Sequence, residues 1–385
     1  MDHAGATPVS LRAQKKLIDT LALYGNPSAI HQEGDMASHA LQKARNAIAL
    51  LLNAHSYEIV FMGSGTESCN TAILGAVRSN PDIKLPHIIT TAIEHPAVLE
   101  PIRHLEKEGK VRVTYLPVYE NGIVKVKDVR EVLSEDTVLV SVMYANNEIG
   151  TIQPVKEIGR ALDEWKREQG RTFTSYPYFH VDACQAGNYL TLDVLRLKCH
   201  MMSVNASKVY GPKGIAALYK REGIKLEPLV HGGGQERGMR SGTEPVALAS
   251  AFAEALTETV ELREKEVERL TVLRDFFFDE IVSRVPDVTI YGDKKERLPN
   301  NINIRVPGIG SDEMILRLDA EGFAVSHKSA CASQETDGSY VLQALGATES
   351  ESLENVRITL GRSTTKEELV RLVKAIKAIK ETFAK

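Results

Sequence analysis

The sequence predicts an α/β protein whose main sheet is mostly parallel. Apolar runs of strand length alternate with longer patterns of helical period along most of the chain. The runs are apolar throughout, as expected for parallel strands that are covered by helices on both faces. With 385 residues, the chain is also long enough for a large domain and a smaller one.

Six strand-like runs define the predicted sheet in chain order. They are EIVFMGS (58–64), HIITTAI (87–93), VLVSVMYA (138–145), YFHVDAC (178–184), HMMSVNA (200–206) and IAALYK (215–220). Helical patterns follow the first three runs, at 67–79, 95–109 and 157–170. Right-handed crossovers through such helices make the strands parallel, so their carboxyl ends should share one edge of the sheet.

The character of the sequence changes after residue 244. Residues 245–285 favour helix and contain no glycine, and we expect a connecting helix there, broken between two domains. Short strand patterns follow at 300–306 and 356–361. We therefore predict a large α/β domain at 12–255 and a small α+β domain at 256–385, with residues 1–11 packed on the small domain.

Composition and charge exclude several classes of protein. The formal net charge of −4 gives no general electrostatic case for nucleic acid. No run approaches the ~18 apolar residues of a membrane span. The first residues do not resemble a secretory signal, so we expect a cytoplasmic protein. The four cysteines form no CxxC pair, which predicts a reducing compartment and no metal site.

Polar residues at the predicted strand ends are candidates for a ligand site, because ligands of open parallel sheets bind there. The segment Gly63–Glu67 is a strand-to-helix turn. Its glycines, Gly65 among them, allow a phosphate to approach the backbone closely, and the Thr66 hydroxyl could add a hydrogen bond. The alternative is an ordinary turn in which Thr66 caps the helix. His95 is either an acid–base or stacking group or a capping histidine.

Three further strand ends carry polar side chains. Asn147 lies in a run of three polar residues that either binds a ligand or serves a turn. Asp182 ends an apolar strand and, with Gln185, either contacts a ligand with a cationic nitrogen or caps the next helix. Lys208 is either a Schiff-base lysine or an ordinary surface lysine.

One ligand would use all of these groups. Pyridoxal 5′-phosphate (PLP) needs a phosphate cradle, a group that stacks on its ring, an acid opposite its pyridine nitrogen and a Schiff-base lysine. The phosphate turn, His95, Asn147, Asp182 and Lys208 occur in that order, each at a strand end. The joint pattern predicts a PLP enzyme, although each member alone has an ordinary structural explanation.

Two residues of the C-terminal part are also candidates. Cys331, in HKSACASQ, lies close to Lys328 in a polar segment, which suits a reactive thiolate, whereas most free cysteines are simply buried. Arg357 interrupts an apolar strand. It either clamps the carboxylate of an amino acid or takes part in a structural salt bridge.

Motifs along nearly the whole chain resemble those of the cysteine desulfurases of the NifS/IscS type, which are class V aminotransferase-like PLP enzymes of fold type I. The matching motifs are DHAGATPV, YGNPSAIH, GSGTESCN, TAIEHPAVLE, YANNEIGTIQP, FHVDACQA, KVYGPKGIAALY, GGGQERGMRSGTEPV, LPNNINI, SACAS and VRITLGRSTTKEE. The resemblance implies the PLP-dependent transferase fold, a homodimer, and conversion of L-cysteine to L-alanine with transfer of the sulfur to an enzyme cysteine. It also implies a sulfur-acceptor protein, either an iron–sulfur scaffold or a tRNA-thiolation carrier.

The resemblance further implies a role for each matching residue. Lys208 matches the Schiff-base lysine, and Cys331 matches the cysteine that takes the sulfur. The remaining matches are Asp182, Gln185 and His95 at the cofactor ring, Thr66 and Ser203 at its phosphate, Arg240 and Thr243 reaching that phosphate across a dimer interface, and Asn147 and Arg357 at the substrate carboxylate.

The chain departs from the family pattern in two places. Ser207 stands where the family has a histidine that helps to bind the phosphate; its hydroxyl still offers a hydrogen bond, but no charge. The segment that contains residues 171–178 is longer than is usual in the family. Two alternatives follow: a selenocysteine lyase or other PLP β-lyase on the same scaffold, and a sulfur-relay protein with weakened PLP binding, which Ser207 alone favours.

Overall fold

Seven strands form the main sheet of the protein, whose computed structural model describes residues 1–328 and 338–383. The strands are β1 (Ile59–Met62), β2 (His87–Thr91), β3 (Arg112–Leu116), β4 (Thr137–Ser141), β5 (Tyr178–Asp182), β6 (Met201–Asn205) and β7 (Ala216–Lys220). Their spatial order is β1-β7-β6-β5-β4-β2-β3. Strand β7 is antiparallel to β1 and β6, whereas the pairs among β2 to β6 are parallel. The predicted, mainly parallel sheet is confirmed.

Strand β3 was not predicted from the sequence. It lies at the edge of the sheet and pairs with β2. Four of its five side chains are partly or fully exposed, and only Leu116 is buried. An edge strand of this kind lacks the continuous apolar run by which the buried strands were found.

Twelve α-helices accompany the strands in the described part of the chain. They are α1 (Leu11–Leu21), α2 (Gln32–Leu52), α3 (Gly65–Arg78), α4 (Pro96–Lys107), α5 (Val126–Val132), α6 (Val155–Glu168), α7 (Val194–Leu197), α8 (Val246–Arg284), α9 (Ser311–Ala320), α10 (Tyr340–Ala344), α11 (Glu349–Ser352) and α12 (Lys366–Phe383). None of the helices in residues 1–328 and 338–383 is long and apolar enough to cross a membrane.

Helices cover both faces of the main sheet, which explains why its strands are apolar along their length. Ile88 packs with residues of α3 and α4 on one face. The next residue, Ile89, packs with residues of α2, α6 and α8 on the other face. Because side chains alternate along a strand, each strand contributes to two separate cores.

Helix α8 continues from the main sheet to a second group of strands. It is unbroken for 39 residues, so the expected break in the connecting helix is wrong. Neither glycine nor proline interrupts its sequence. Its first half buries Phe252 and Leu256 in the core of the main sheet, and its second half buries Phe277 and Ile281 in a second core.

The second core lies against a small antiparallel sheet of three strands, β8 (Thr289–Ile290), β9 (Asn301–Arg305) and β10 (Asn355–Thr359), in the order β10-β9-β8. The first residues of the chain lie beside β10. Asp2 forms a parallel bridge with Thr359, and the Thr359 hydroxyl accepts a hydrogen bond from the Ala4 amide at 2.9 Å. Residues 2–5 therefore lie between the small sheet and the main one.

Candidate active site

One pocket lies where the carboxyl ends of β5 and β6 meet the first turns of α3 and α4. Strand ends and helix N-termini therefore share one edge of the sheet, as the crossover topology requires. The pocket is lined by eight of the residues predicted from the sequence: Gly65, Thr66, His95, Asn147, Asp182, Gln185, Lys208 and Arg357.

The first turn of α3 forms the end of the pocket best suited to a phosphate. Ser64 caps this helix by accepting a hydrogen bond from the Glu67 amide at 3.0 Å, so Thr66 is not the cap and lines the pocket. A Cβ atom at Gly65 would lie 3.1 Å from the Cys184 sulfur and 3.3 Å from Asn205 Nδ2. The absence of a side chain at Gly65 leaves the helix N-terminus open to an anion.

Asn205 and Ser207 form a small hydrogen-bonded unit at the same end of the pocket. The Ser207 amide and hydroxyl both donate to Asn205 Oδ1, each at 3.2 Å. Because Oδ1 accepts these bonds, the identity of Nδ2 as the donor end of the amide is fixed. Asn205 lines the pocket, whereas Ser207 does not. Ser207 therefore acts on the pocket through Asn205, a residue that was not among the predicted ones.

Ser203 has a different environment from the one predicted. It is fully buried in β6, where its hydroxyl lies 2.7 Å from the Ser68 hydroxyl and 3.0 Å from His180 Nε2. It is not part of the pocket lining. The polar residue at the strand end itself is Asn205, so the rule that selected the other candidates would have selected Asn205 as well.

Lys208 ends a short 3₁₀ turn directly after β6. Its Nζ atom donates to the carbonyl oxygens of Ala4 at 2.7 Å and Gly5 at 2.5 Å. Gln185 Nε2 donates to the same Ala4 oxygen at 3.0 Å. Both predicted residues therefore contact the N-terminal segment, which forms one side of the pocket.

Asp182, at the end of β5, provides a carboxylate in the pocket. Its Oδ1 accepts a hydrogen bond from the Cys184 amide at 3.0 Å, so it also stabilises the turn that follows the strand. Burial raises the pKa values of the Cys69 and Cys184 thiols well above the usual value, and the charge on Asp182 raises them further. These thiols stay protonated.

Within residues 1–328 and 338–383, no group of three His, Cys, Asp or Glu side chains could hold a metal ion.

His95 both caps α4 and lines the pocket, so its two predicted roles coexist. Its Nδ1 accepts a hydrogen bond from the Ala97 amide at 3.1 Å, which places the proton of the neutral ring on Nε2. Burial lowers the pKa of His95; Asp182 opposes this shift, and Lys208 and Arg357 add to it. The imidazole is therefore neutral at neutral pH.

Glu94, beside His95, is a buried carboxyl group that the sequence analysis did not select. Its Oε1 accepts hydrogen bonds from the Thr91 hydroxyl and the Met143 amide, both at 2.8 Å, while Oε2 has no partner among the described residues. Burial raises the pKa of Glu94 to about 8, although these two hydrogen bonds act against the shift. Glu94 is thus mostly protonated at neutral pH.

Arg357 joins the small sheet to the pocket. It is 1% exposed, and it donates to the Asn147 carbonyl oxygen at 3.2 Å and to Asp2 Oδ1 at 2.8 Å. Its Nε atom and Asn147 Oδ1 are buried and have no partner among the described residues. Buried polar groups of this kind are usually satisfied by a ligand, water or protein partner. Arg357 therefore forms the structural salt bridge that was one of its two predicted roles. Its Nε–H group also remains able to donate to a carboxylate, which was the other predicted role.

Arg240 and Thr243 lie outside the pocket, on a loop that follows a buried ion pair between Arg45 and Glu236. Arg45 donates to both carboxylate oxygens of Glu236, at 2.6 and 2.7 Å, and this ion pair is buried. Arg240 Nε donates to Glu67 Oε1 at 2.9 Å. Thr243 is exposed. The loop thus presents Thr243 to the outside of a single chain.

Cys331 lies outside the described residues. On the C-terminal side of the undescribed segment, Ser339 caps α10 and its hydroxyl donates to Glu148 Oε2 at 2.6 Å. Glu148 follows Asn147, which lines the pocket. Ser339 therefore lies close to the residues proposed to hold a substrate.

Comparisons with known proteins are consistent with each other. The family model described as aminotransferase class-V matches residues 1–372. The chain is 42% identical over 370 residues to the cysteine desulfurase IscS of Dictyoglomus turgidum, with 96% of this chain and 91% of that one covered. It is 41% identical over 348 residues to the cysteine desulfurase IscS of Clostridium botulinum strain Hall, with 90% and 85% covered. A solved structure named NifS-like protein superposes with a TM-score of 0.90 at 32% identity, covering 99% of this chain and 98% of that one.

Glu94→Gln should change the pH dependence of stability. The pKa of the carboxyl rises from 4.5 to about 8 on folding, so its contribution to stability is full below pH 4.5 and is lost as the pH rises through about 8. The amide cannot ionise. The variant should therefore gain stability relative to the parent across this range, by at most about 1.4 kcal/mol per pH unit.

Urea unfolding followed by circular dichroism between pH 5 and 9 measures this difference. Glu100→Gln, at an exposed position on α4, serves as the control and should show no such trend. A Glu94→Gln difference that stays constant with pH would contradict the assigned protonation state.

Proposed function

We infer that this chain, which belongs to the aminotransferase class-V family, is a PLP-dependent cysteine desulfurase that converts L-cysteine to L-alanine. The observation that carries the inference is the joint placement of Asp182, Lys208 and the open N-terminus of α3 in one pocket. Near-full-length identity of about 40% to proteins named cysteine desulfurase supports the same activity.

The residues of the pocket fit PLP. The Gly65 and Thr66 amides, the Thr66 hydroxyl and Asn205 Nδ2 are donors suited to the phosphate. At the other end, Asp182 suits the protonated pyridine nitrogen, Gln185 the ring hydroxyl and neutral His95 the ring face. Lys208 suits the aldehyde. When bound, the cofactor would supply an electron sink for bonds broken at the substrate's α- and β-carbons.

Arg357 and Asn147 would bind the substrate. The free Nε–H of Arg357 provides a buried, charged donor for the carboxylate of L-cysteine. Asn147 has an amide in the same pocket, and its backbone oxygen orients the guanidinium. Holding the carboxylate at these two residues would fix the α-carbon close to Lys208.

Lys208 would move the α-proton. Its free amine would take this proton as a general base. The Ala4 and Gly5 carbonyl oxygens then hold the resulting ammonium, since both accept hydrogen bonds from Nζ. His95, neutral and with its proton on Nε2, would face the cofactor ring as an uncharged group.

Cys331 would take the sulfur. Its thiolate attacks the sulfur of L-cysteine, an S–S bond forms, and the C–S bond breaks with its electron pair left on the carbon fragment. Protonation of that fragment gives alanine, and the enzyme keeps a persulfide. We propose that a sulfur-acceptor protein, an iron–sulfur scaffold or a tRNA-thiolation carrier, removes this sulfur.

The free cysteines Cys69, Cys184 and Cys199 support a reducing, cytoplasmic location.

Cys331→Ala should keep bound PLP but lose alanine formation from L-cysteine by at least about 100-fold, since the nucleophile is removed. The visible absorbance of the cofactor and quantified alanine measure the two properties. Cys199→Ala, at a buried cysteine remote from the pocket lining, should behave like the parent. Undiminished turnover in Cys331→Ala would contradict the mechanism, and selenide release from selenocysteine by that variant would instead favour a selenocysteine lyase.

Asn205→Ala should weaken PLP binding about tenfold, the value of one hydrogen bond to a charged group. Ser207→Ala should weaken it less, because Ser207 only orients Asn205. Asn205→Asp keeps the acceptor for Ser207 but opposes the phosphate charge, and should weaken binding most.

Fluorescence titration of the apoenzymes with PLP gives the dissociation constants. Ser203→Ala is the matched comparison, since Ser203 belongs to β6 but not to the pocket lining. If Ser203→Ala weakened PLP binding and Asn205→Ala did not, the phosphate would be held by Ser203.

A homodimer is the assembly we propose, and an exposed apolar surface at α1 supports it. Leu11, Ile18 and Leu21 lie on one side of the helix by their spacing and are 83%, 66% and 65% exposed. Tyr24 and Ile30, which follow α1, are 80% and 105% exposed.

Sedimentation velocity should give the mass of two chains. The double variant Ile18→Asp with Leu21→Asp should shift the protein to a monomer, because it places charges in the apolar contact. Leu50→Asp, at an 80% exposed leucine on α2, is the control and should leave the mass unchanged. A monomeric parent protein would contradict the proposal.

A further inference from the structure

Lys166 and His200 form a buried contact away from the active-site pocket. Lys166 Nζ in α6 lies 2.9 Å from His200 Nε2, directly before β6. The Phe173 carbonyl oxygen lies 3.1 Å from Nζ and 3.0 Å from Nε2. Lys166 is 1% exposed and His200 is fully buried. Phe173 belongs to the loop 171–178, for which the proposed sulfur chemistry gives no role.

The hydrogen bonds determine where the protons of this contact reside. The Phe179 amide donates to His200 Nδ1 at 3.0 Å, so Nδ1 carries no hydrogen. The proton of the neutral ring is then on Nε2. This nitrogen lies 3.0 Å from the Phe173 oxygen and 2.9 Å from Lys166 Nζ. If Lys166 were an ammonium, it would have no lone pair to accept this N–H, and the hydrogens of the two groups would repel each other. A neutral amine avoids this repulsion and donates to the Phe173 oxygen at 3.1 Å, while the His200 N–H donates to the same oxygen at 3.0 Å.

The surroundings also favour the neutral amine. Among the described residues, no carboxylate forms an ion pair with Lys166; the neighbouring Asp163 pairs with Lys198 at 2.7 Å. Burial lowers the pKa of Lys166 to about 7; Asp163 opposes the shift, while Arg221 and Arg171 add to it. At neutral pH a large share of this amine is therefore unprotonated and nucleophilic.

Lys166 lines a cavity of about 360 Å³ whose other charged residues are Arg167, Arg171, Lys198 and Asp163. Three cations face one carboxylate, so the cavity carries two excess positive charges when Lys166 is neutral. Arg171 donates to the carbonyl oxygens of Tyr176 and Glu135 and lies over the Trp165 and Tyr176 rings, but no carboxylate of the described residues forms an ion pair with it. Such a cavity favours a small anion.

We propose that Lys166 is a modification site at which its neutral amine reacts with small acyl phosphates held in the cationic cavity. The amine nitrogen attacks the acyl carbon, a C–N bond forms, and the C–O bond to phosphate breaks. For acetyl phosphate, the products are acetyl-Lys166 and hydrogen phosphate, which takes the proton of the amine. The reaction needs no further reactant, and it is independent of the sulfur chemistry proposed above.

Incubation of the holoenzyme with acetyl phosphate at pH 7.5, followed by peptide mass spectrometry over time, tests this proposal. Lys166 should be acetylated about tenfold faster than the exposed Lys84 and Lys107, since ordinary lysine amines are almost wholly protonated at this pH. Inorganic phosphate should slow the reaction at Lys166 and leave that at Lys84 and Lys107 unchanged. Equal rates at the three lysines would overturn the proposal.

Arg167→Gln separates recognition of the phosphate from reactivity of the amine. Arg167 is exposed, lines the cavity and makes no contact with Lys166 Nζ, so the variant should fold and form alanine normally. It should be acetylated at Lys166 several-fold more slowly by acetyl phosphate, and at the parental rate by the uncharged N-hydroxysuccinimidyl acetate. A Lys166 reaction that responds neither to phosphate nor to Arg167→Gln would show that the cavity does not select anions, and would also overturn the proposal.

Discussion

The parallel pairing of β4, β5 and β6 is the constraint on which the other features of the site depend. Parallel neighbours cannot be joined by a tight turn, so crossover segments must return the chain to the same edge. These crossovers cover both faces of the sheet, and polar side chains are therefore largely confined to the strand ends. Asp182 and Asn205 end adjacent strands and so line one pocket. The N-terminus of α3, which approaches the same edge, adds its amides to that pocket.

Burial decides which groups of the pocket carry charge. Glu94, His95 and the Cys184 thiol are mainly neutral at neutral pH, because desolvation is the largest cause of each shift in pKa. The charged groups are Lys208 and Arg357, against Asp182 and, beside Arg357, Asp2. These two cations and two carboxylates balance one another before any ligand binds. The described residues that line the phosphate end provide only dipolar donors.

The sequence allowed the main sheet and most of the polar residues of the pocket to be predicted, because continuous apolar runs mark buried parallel strands and polar residues mark their ends. Strand β3 was missed since an edge strand is not apolar throughout. The break predicted in α8 does not exist, because the helix passes from one core to the other within a single uninterrupted span, Val246–Arg284, that contains neither glycine nor proline. Ser203 was assigned to the phosphate from the family resemblance, whereas Asn205, two residues further along β6, is the polar residue at the strand end and lines the pocket. Asp2 could not be assigned to Arg357, since 355 residues separate the two.

The N-terminal segment explains how the two sheets contribute to one site. Asp2 binds Arg357 of the small sheet, while the carbonyl oxygens of Ala4 and Gly5 bind Lys208 of the main sheet. Gly5 makes this path possible, because a Cβ atom there would lie 2.4 Å from Asp2 Oδ2 and displace the carboxylate from the guanidinium. The same three residues therefore orient the group proposed to hold the substrate carboxylate and the group proposed to move its α-proton. Asp2, Ala4 and Gly5 thereby connect Arg357 and Lys208 through direct hydrogen bonds.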